Sequence, residues 1–164
     1  MIIGIDLDNT IIDYTNAFKE VALKNNIIDN YWIENNKSKK LNFFKESLKK
    51  HLLKKPNGQD KWEFIQGQVY GKYIKYANLF PGVKNFFILS KEIFDIYIIS
   101  HKTNIGHQTN INIRKKAINF LKRKEIIGKK TGISEKSIFF ADNLELKISS
   151  IKENKFNFFI DDLQ

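Results

Sequence analysis

Carboxylates follow two apolar segments that lie at opposite ends of the chain. Asp6 and Asp8 lie at and just beyond the end of the first apolar segment, and Asp161 and Asp162 directly follow the last one. Carboxylates that converge repel one another unless a proton or a cation lies between them. Carboxylate oxygens with several retained waters are the ligands that octahedral Mg²⁺ prefers. The sequence therefore predicts a Mg²⁺ site if the two acidic pairs meet in the fold.

Four apolar runs predict the strands that would position these side chains. A near-continuous apolar run is typical of a strand buried on both faces, as in a parallel sheet. The runs span residues 2–5, 96–99, 137–141 and 156–160. Three of them end at a polar residue, which is Asp6, Ser100 or Asp161. Because parallel strands end at the same sheet edge, we expect these polar residues to converge.

Helical patterns separate the strands, as the crossovers between parallel neighbours require. The apolar residues of segment 113–121 repeat at the spacing of one helix face, and Leu144, Ile148 and Ile151 repeat it before the last strand. A further helix is predicted to start at Val83. This alternation predicts an α/β fold with a Rossmann-like, doubly wound parallel sheet.

Residues 14–80 interrupt the alternation with lysine-rich, aromatic and helical sequence. Helices are predicted over residues 16–23, 43–53 and 62–76. We interpret segment 14–80 as an inserted α-helical cap subdomain, with residues 1–13 and 81–164 forming the α/β core. The insertion follows the carboxyl end of the first strand, where open α/β sheets bind ligands. We therefore expect it to cover the site.

The order of the polar residues resembles that of the haloacid dehalogenase superfamily of aspartate-nucleophile hydrolases. That pattern is an apolar strand with D-x-D-x-T, an apolar strand with Ser or Thr, a Lys and a terminal acidic pair. Its counterparts here are Asp6-Leu7-Asp8-Asn9-Thr10, Ser100, Lys147 and Asp161-Asp162. The resemblance spans nearly the whole chain. A receiver-type domain orders its acidic residues and Lys differently, so the sequence does not fit that alternative.

The resemblance implies catalytic roles for Asp6, Asp8 and Lys147. Asp6 would attack phosphorus to form an aspartyl-phosphate, and Asp8 would protonate the leaving oxygen and then activate water. Lys147 would compensate charge on Asp6 and the phosphoryl group, with Lys136 and Lys152 as alternatives. Family dehalogenases lack the second Asp, so Asp8 favours a phosphatase. The expected activity is Mg²⁺-dependent hydrolysis of a phosphomonoester in a small phosphorylated metabolite or nucleotide.

The resemblance also implies phosphate and metal ligands. Ser100 would bind the phosphoryl oxygens, and the adjacent His101 and Lys102 either contact substrate or are solvated loop residues. Mg²⁺ would be held by Asp6, by Asp8 through its backbone carbonyl, and by Asp161 or Asp162. Sequences of this type usually continue beyond the acidic pair, whereas this one ends at Gln164. We therefore expect the last ligands to be weakly held.

The formal net charge of +10 raises the question of a nucleic-acid partner, because basic surfaces attract polyanions. Only Arg114 and Arg123 are arginine, so 26 of the 28 basic residues are lysine. Lysine, asparagine and isoleucine share AT-rich codons, so genome composition alone also accounts for this charge. Nucleic acid is therefore not favoured. Two alternatives remain open: a polynucleotide end phosphatase, marked by a basic groove leading to Asp6, and a catalytically weak nucleic-acid-binding protein.

The composition excludes several other classes. Without cysteine, the chain has no thiol nucleophile, disulfide or thiolate zinc site. No apolar run approaches the roughly 20 residues of a membrane span, and no basic region precedes the first apolar run. We expect a cytoplasmic protein without a membrane partner, and the sequence leaves its oligomeric state open.

Overall fold

A computed structural model describes residues 1–36 and 43–162 of the chain. Its strands are β1 (Ile2–Ile5), β2 (Ile12–Asp13), β3 (Asn78–Leu79), β4 (Asp95–His101), β5 (Ile138–Ala141) and β6 (Phe158–Ile160). Four of them form a parallel sheet in the order β5-β4-β1-β6. The mixed α/β class and the parallel sheet are confirmed, and the sheet is compatible with a Rossmann-like fold.

Seven helices of the described residues accompany this sheet. They are α1 (Thr15–Lys24), α2 (Asn30–Asn35), α3 (Phe43–Leu53), α4 (Gly58–Tyr70), α5 (Val83–Ser90), α6 (Ile113–Arg123) and α7 (Leu144–Glu153). Short 3-10 turns lie at Ile74–Tyr76 and Glu135–Ser137. None of these helices is long and apolar enough to cross a membrane.

The strand register brings the predicted polar residues to one edge of the sheet. Ile5 of β1 pairs with Ile98 of β4 on one side and with Ile160 of β6 on the other. Asp6 and Asp161 therefore follow paired residues, and the Asp6 backbone N–H donates to the Ile160 carbonyl at 2.8 Å. Ser100 lies two residues beyond Ile98 on β4. Convergence of the strand ends, expected from the apolar runs, is confirmed.

Helices α6 and α7 both form where the sequence pattern predicts them, but only α6 buries its apolar face. The predicted apolar face of α6 is buried. In α7, Leu144 and Ile148 are 48% and 43% exposed, and the buried residue is Lys147 at 5%. The prediction of an apolar buried face on α7 is therefore wrong. Lys147 is buried because carboxylates from other elements bind its ammonium.

The segment between β2 and β3 shares a hydrophobic core with the sheet. Helices α1, α3 and α4 pack against one another, and the Phe18 and Trp62 rings stack with centroids 5.5 Å apart. Phe18 and Leu48 of these helices belong to the same buried cluster as Ile98 of the sheet. The assignment of residues 14–80 as a cap on a separate core stays a prediction.

Some predicted boundaries differ from those observed. The last predicted strand, over residues 156–160, begins at Phe158 in the structure. Asn157 still bonds to β1: its backbone N–H donates to the Ile2 carbonyl at 2.9 Å, and its side-chain oxygen accepts from the Ile2 N–H at 2.8 Å. The helix predicted over 62–76 begins at Gly58 and ends at Tyr70. The short α2 and the antiparallel pair of β2 and β3 were not predicted. They contain too few residues to show a periodicity.

Glycine at position 67 allows α4 to lie against the loop that precedes α6. A Cβ there would sit 2.2 Å from the His107 carbonyl oxygen and 2.9 Å from Thr109 Cγ2. Helix α4 ends at Tyr70, and the loop follows the end of β4. This close approach therefore fixes the distance between Tyr70 and the end of β4.

We predict that Gly67→Ala destabilises the protein by about 2 kcal/mol, although alanine normally stabilises a helix interior by about 1 kcal/mol relative to glycine. The added methyl must push α4 and the loop apart. Urea denaturation measures the effect, and Lys61→Ala on the exposed face of the same helix is the control. A stabilised Gly67→Ala variant would contradict the close approach.

Candidate active site

A tight turn after β1 places the first two carboxylates. The Leu7 carbonyl accepts hydrogen bonds from the backbone N–H groups of Ile11 and Ile12, at 3.1 and 2.9 Å. Asn9 lies in the left-handed region with φ 64°, a conformation that asparagine tolerates better than most residues. The turn leaves Asp6 at the strand end and directs the Asp8 side chain toward Tyr14 and Lys102.

Lys147 joins the two ends of the chain. Its Nζ donates to Asp6 Oδ1 at 2.7 Å and to Asp161 Oδ2 at 2.9 Å. The side chains of Lys147 and Asp6 are 7% and 6% exposed. Asn143 caps α7 by accepting from the Leu146 N–H at 2.8 Å, which fixes the start of the helix that carries the lysine. The predicted choice of Lys147 over the exposed Lys136 and Lys152 agrees with this placement.

The pKa values of Asp6 and Lys147 are both raised, for different reasons. Burial raises the pKa of Asp6 from 3.8 to about 6, against the lowering effect of Lys147 and with smaller raising effects from Asp8 and Asp161. Burial acts to lower the pKa of Lys147. Its hydrogen bonds to Asp161 and Asp6 outweigh burial, so this pKa is raised. Lys147 therefore stays charged while Asp6 resists ionisation.

Three carboxylates form an acidic cluster at this edge. Oxygen atoms of Asp6, Asp161 and Asp162 all lie within 4.8 Å of one another. The Lys147 ammonium bonds to two of them, Asp6 and Asp161. An all-oxygen donor set of carboxylates fits a hard divalent cation such as Mg²⁺. These three residues are therefore the candidate metal ligands.

The Asp8 carboxylate belongs to a second group rather than to the acidic cluster. Its Oδ2 accepts from Lys102 Nζ at 2.7 Å, and its Oδ1 accepts from the Tyr14 hydroxyl at 2.9 Å. The Lys102 Nζ lies 4.3 Å from the centre of the Tyr70 ring, and its side chain is 2% exposed. This cation is thus held by a carboxylate and an aromatic face. The proposed metal contact of the Asp8 carbonyl stays a prediction.

Two hydroxyls at the same edge are buried without a hydrogen-bond partner in the described part of the chain. They are Ser100 Oγ and Thr10 Oγ1. A buried hydroxyl without a partner costs free energy, which a ligand oxygen can recover. Ser100 was predicted to bind phosphate, and its orphaned hydroxyl fits that role.

The remaining predicted residue, His101, is exposed and lies beside the Asp142 carbonyl oxygen, with Nε2 at 3.2 Å. Its described contacts are with the end of β5 rather than with the carboxylates. The structure therefore separates the predicted phosphate ligands: Ser100 and Lys102 are buried, and His101 faces outward.

Two residues of the site were missed in the sequence. Tyr14 binds Asp8 as described. Arg114 donates from Nε to the Lys102 carbonyl at 2.7 Å and from Nη2 to Asp142 Oδ1 at 2.6 Å. The signal for Arg114 was its rarity, because a planar guanidinium makes such a fork where lysine does not. No local signal marks Tyr14.

Comparison with models of known protein families and with curated proteins gives no match. Functional inference therefore depends on the geometry of these two side-chain groups.

We predict that Asp6 makes the metal-free protein less stable as pH rises. A carboxyl whose folded pKa is raised to about 6 from 3.8 keeps its proton in the folded state while the unfolded state loses it. The unfolding free energy therefore falls across this interval. Asp6→Asn lacks the effect, so its stability relative to the parent should rise by up to about 3 kcal/mol between pH 4 and pH 7.

Urea denaturation in the presence of a chelator measures this difference. A stability difference between the two proteins that stays constant over the same pH range would contradict the burial of an ionisable Asp6.

Proposed function

We propose that the chain is a Mg²⁺-dependent phosphomonoester hydrolase of the haloacid dehalogenase type, acting through an aspartyl-phosphate on a small phosphorylated metabolite or nucleotide. The observation that carries this proposal is Lys147, buried between Asp6 and Asp161 within a cluster of three carboxylates. A buried ion pair is costly to assemble and is a weak source of stability. Its position at the carboxyl edge of a parallel sheet, where such folds bind ligands, favours a chemical role.

In the first step, an oxygen of Asp6 attacks the phosphorus atom and the bond from phosphorus to the leaving oxygen breaks. Oδ1 accepts from Lys147, so Oδ2 is the proposed nucleophile. The lysine holds the carboxylate in one orientation and neutralises part of the charge that collects as the phosphoryl group approaches. Positioning and electrostatic stabilisation account for most of the catalysis of phosphoryl transfer.

Asp8 is the proposed proton donor to the leaving oxygen. In the second step it takes a proton from the attacking water, whose oxygen bonds to phosphorus while the bond from phosphorus to Asp6 breaks. Inorganic phosphate is released and the Asp6 carboxylate is restored. Both of its oxygens already accept a hydrogen bond, from Lys102 and from Tyr14. A protonated carboxyl oxygen is a poorer acceptor than an ionised one, so one of these hydrogen bonds weakens when Asp8 carries a proton. We propose that substrate binding breaks the bond to Tyr14, because the bond to the ammonium is charge-assisted and stronger.

The acidic cluster of Asp6, Asp161 and Asp162 is the proposed Mg²⁺ site. Bound there, the cation would neutralise charge on the phosphoryl oxygens. Ser100 and Thr10 are the proposed hydrogen-bond donors to those oxygens, because their buried hydroxyls have no other partner within the described residues.

Segment 14–80 is the proposed cap, as the sequence pattern predicts. Its contribution to the site is supported by Tyr14 and Tyr70, which contact Asp8 and Lys102. Their rings meet edge to face with centroids 4.9 Å apart. The buried Tyr14 ring and the half-buried Tyr70 ring reduce the access of water to Lys102, which strengthens its electrostatic interaction with Asp8.

We predict that the protein hydrolyses para-nitrophenyl phosphate when Mg²⁺ is present and that a chelator removes the activity. Asp6→Asn should lower kcat by more than about 1,000-fold, because the variant has no nucleophile. Asp95→Asn, an exposed substitution at the opposite end of β4, is the control and should retain activity. Full activity of Asp6→Asn would contradict the proposed nucleophile.

We predict that Lys102→Met lowers kcat by about 100-fold and changes KM less than twofold, because Lys102 positions Asp8 for proton transfer. Methionine matches the length of the side chain and removes the charge. Lys115→Met, on the exposed face of α6, is the control. A raised KM with unchanged kcat would show instead that Lys102 binds the phosphate of the substrate.

A further inference from the structure

A concave basic surface lies between α6 and the segment that follows α4. Its cavity volume is about 480 Å³, and five cationic side chains line it: Lys72, Lys75, Lys116, Lys122 and Arg123. No carboxylate of the described residues belongs to its lining. We call this surface the basic cleft.

Most of these charges have no counter-ion in the described part of the chain. Lys122 pairs with Glu135 at 2.6 Å, whereas the other four cations form no ion pair there. Like charges gathered in a concave surface repel one another and raise the local positive potential.

Two aromatic rings lie on the same segment as Lys72 and Lys75, although neither ring lines the basic cleft itself. Tyr73 and Tyr76 stack with centroids 5.9 Å apart and an interplanar angle of 28°. Both are partly exposed, and the Nζ atoms of Lys72 and Lys75 lie 5.8 and 5.1 Å from the respective ring centres. Lysines that bind phosphates beside rings on which bases stack are the usual components of a single-strand binding surface.

We propose that the basic cleft binds single-stranded nucleic acid. The proposal is independent of the hydrolase function, because the cleft lining contains neither Asp6 nor Tyr70 of the candidate site. The sequence alone did not favour a nucleic-acid partner, because genome composition also accounts for the net charge. The structure instead gathers five cations around one concavity, and the tyrosine pair favours a nucleic acid over an acidic protein segment.

The test measures binding of a fluorescent oligo-dT of about 12 nucleotides by anisotropy at several salt concentrations. Five phosphate contacts predict that log K falls with log salt with a slope of about −3.5. The double substitution Lys75→Glu and Lys116→Glu, one from each wall, should weaken binding at least about tenfold and reduce the slope by about 1.4.

The control is Lys129→Glu with Lys130→Glu, which changes the net charge equally at exposed positions outside the cleft. It should weaken binding less than about threefold. Equal losses in the two double variants would overturn the proposal, since binding would then follow net charge alone. Absence of oligo-dT binding by the parent protein at low salt would also overturn it.

Two further measurements complete the test. Poly-glutamate of equal charge should compete at least about tenfold less well than unlabelled oligo-dT, and equal competition would overturn the choice of nucleic acid. If the glutamate variant of the cleft does not fold, as judged by circular dichroism, Lys75→Gln with Lys116→Gln replaces it. That neutral pair should still weaken binding about fivefold, and unchanged binding would overturn the proposal.

Discussion

The buried ammonium of Lys147 is the interaction on which the arrangement of the candidate site depends. Its partners, Asp6 and Asp161, come from the ends of two neighbouring strands, and the lysine comes from the helix between β5 and β6. Removing the ammonium or its carboxylate partners leaves an uncompensated buried charge. Such a charge destabilises the fold more than replacing the whole group by apolar residues would. The β1–β6 register and the placement of α7 are therefore coupled through one side chain.

The sequence was sufficient for features set by short-range pattern and was not sufficient for those set by long-range contact. Buried parallel strands need apolar side chains on both faces, so β1 and β4 appeared as uninterrupted runs, and the residues ending them could be assigned to one edge. The helix α7 followed a different constraint. Its apolar Leu144 and Ile148 remain substantially exposed, while Lys147 is buried. An argument from periodicity assumes that the apolar face of a helix is the buried one. In α7 the ion pairs of Lys147 determine instead which face is buried.

The contacts of the Asp8 side chain could not be predicted from the sequence, for a related reason. Lys102 is 94 positions away in the chain, and Tyr14 lies at the start of a helix whose pattern indicates only packing. Which tyrosine hydroxyl meets which carboxylate depends on how α1 and α4 pack beside the sheet. That geometry depends in turn on close approaches such as the one at Gly67. A single sequence gives the types of residue available to a site but not their pairing.

The position of β6 has a thermodynamic consequence for the cluster that it supports. This strand has only three residues and is one of the two edge strands of the described sheet, with Phe158 and Ile160 58% and 42% exposed. An outer strand with so little buried surface opens more readily than the centre of a sheet. Since Asp161 and Asp162 follow β6, the proposed binding of a cation to the cluster and closure of the strand would stabilise each other. Hydrogen exchange of the β6 backbone amides would therefore slow when a cation binds to the cluster.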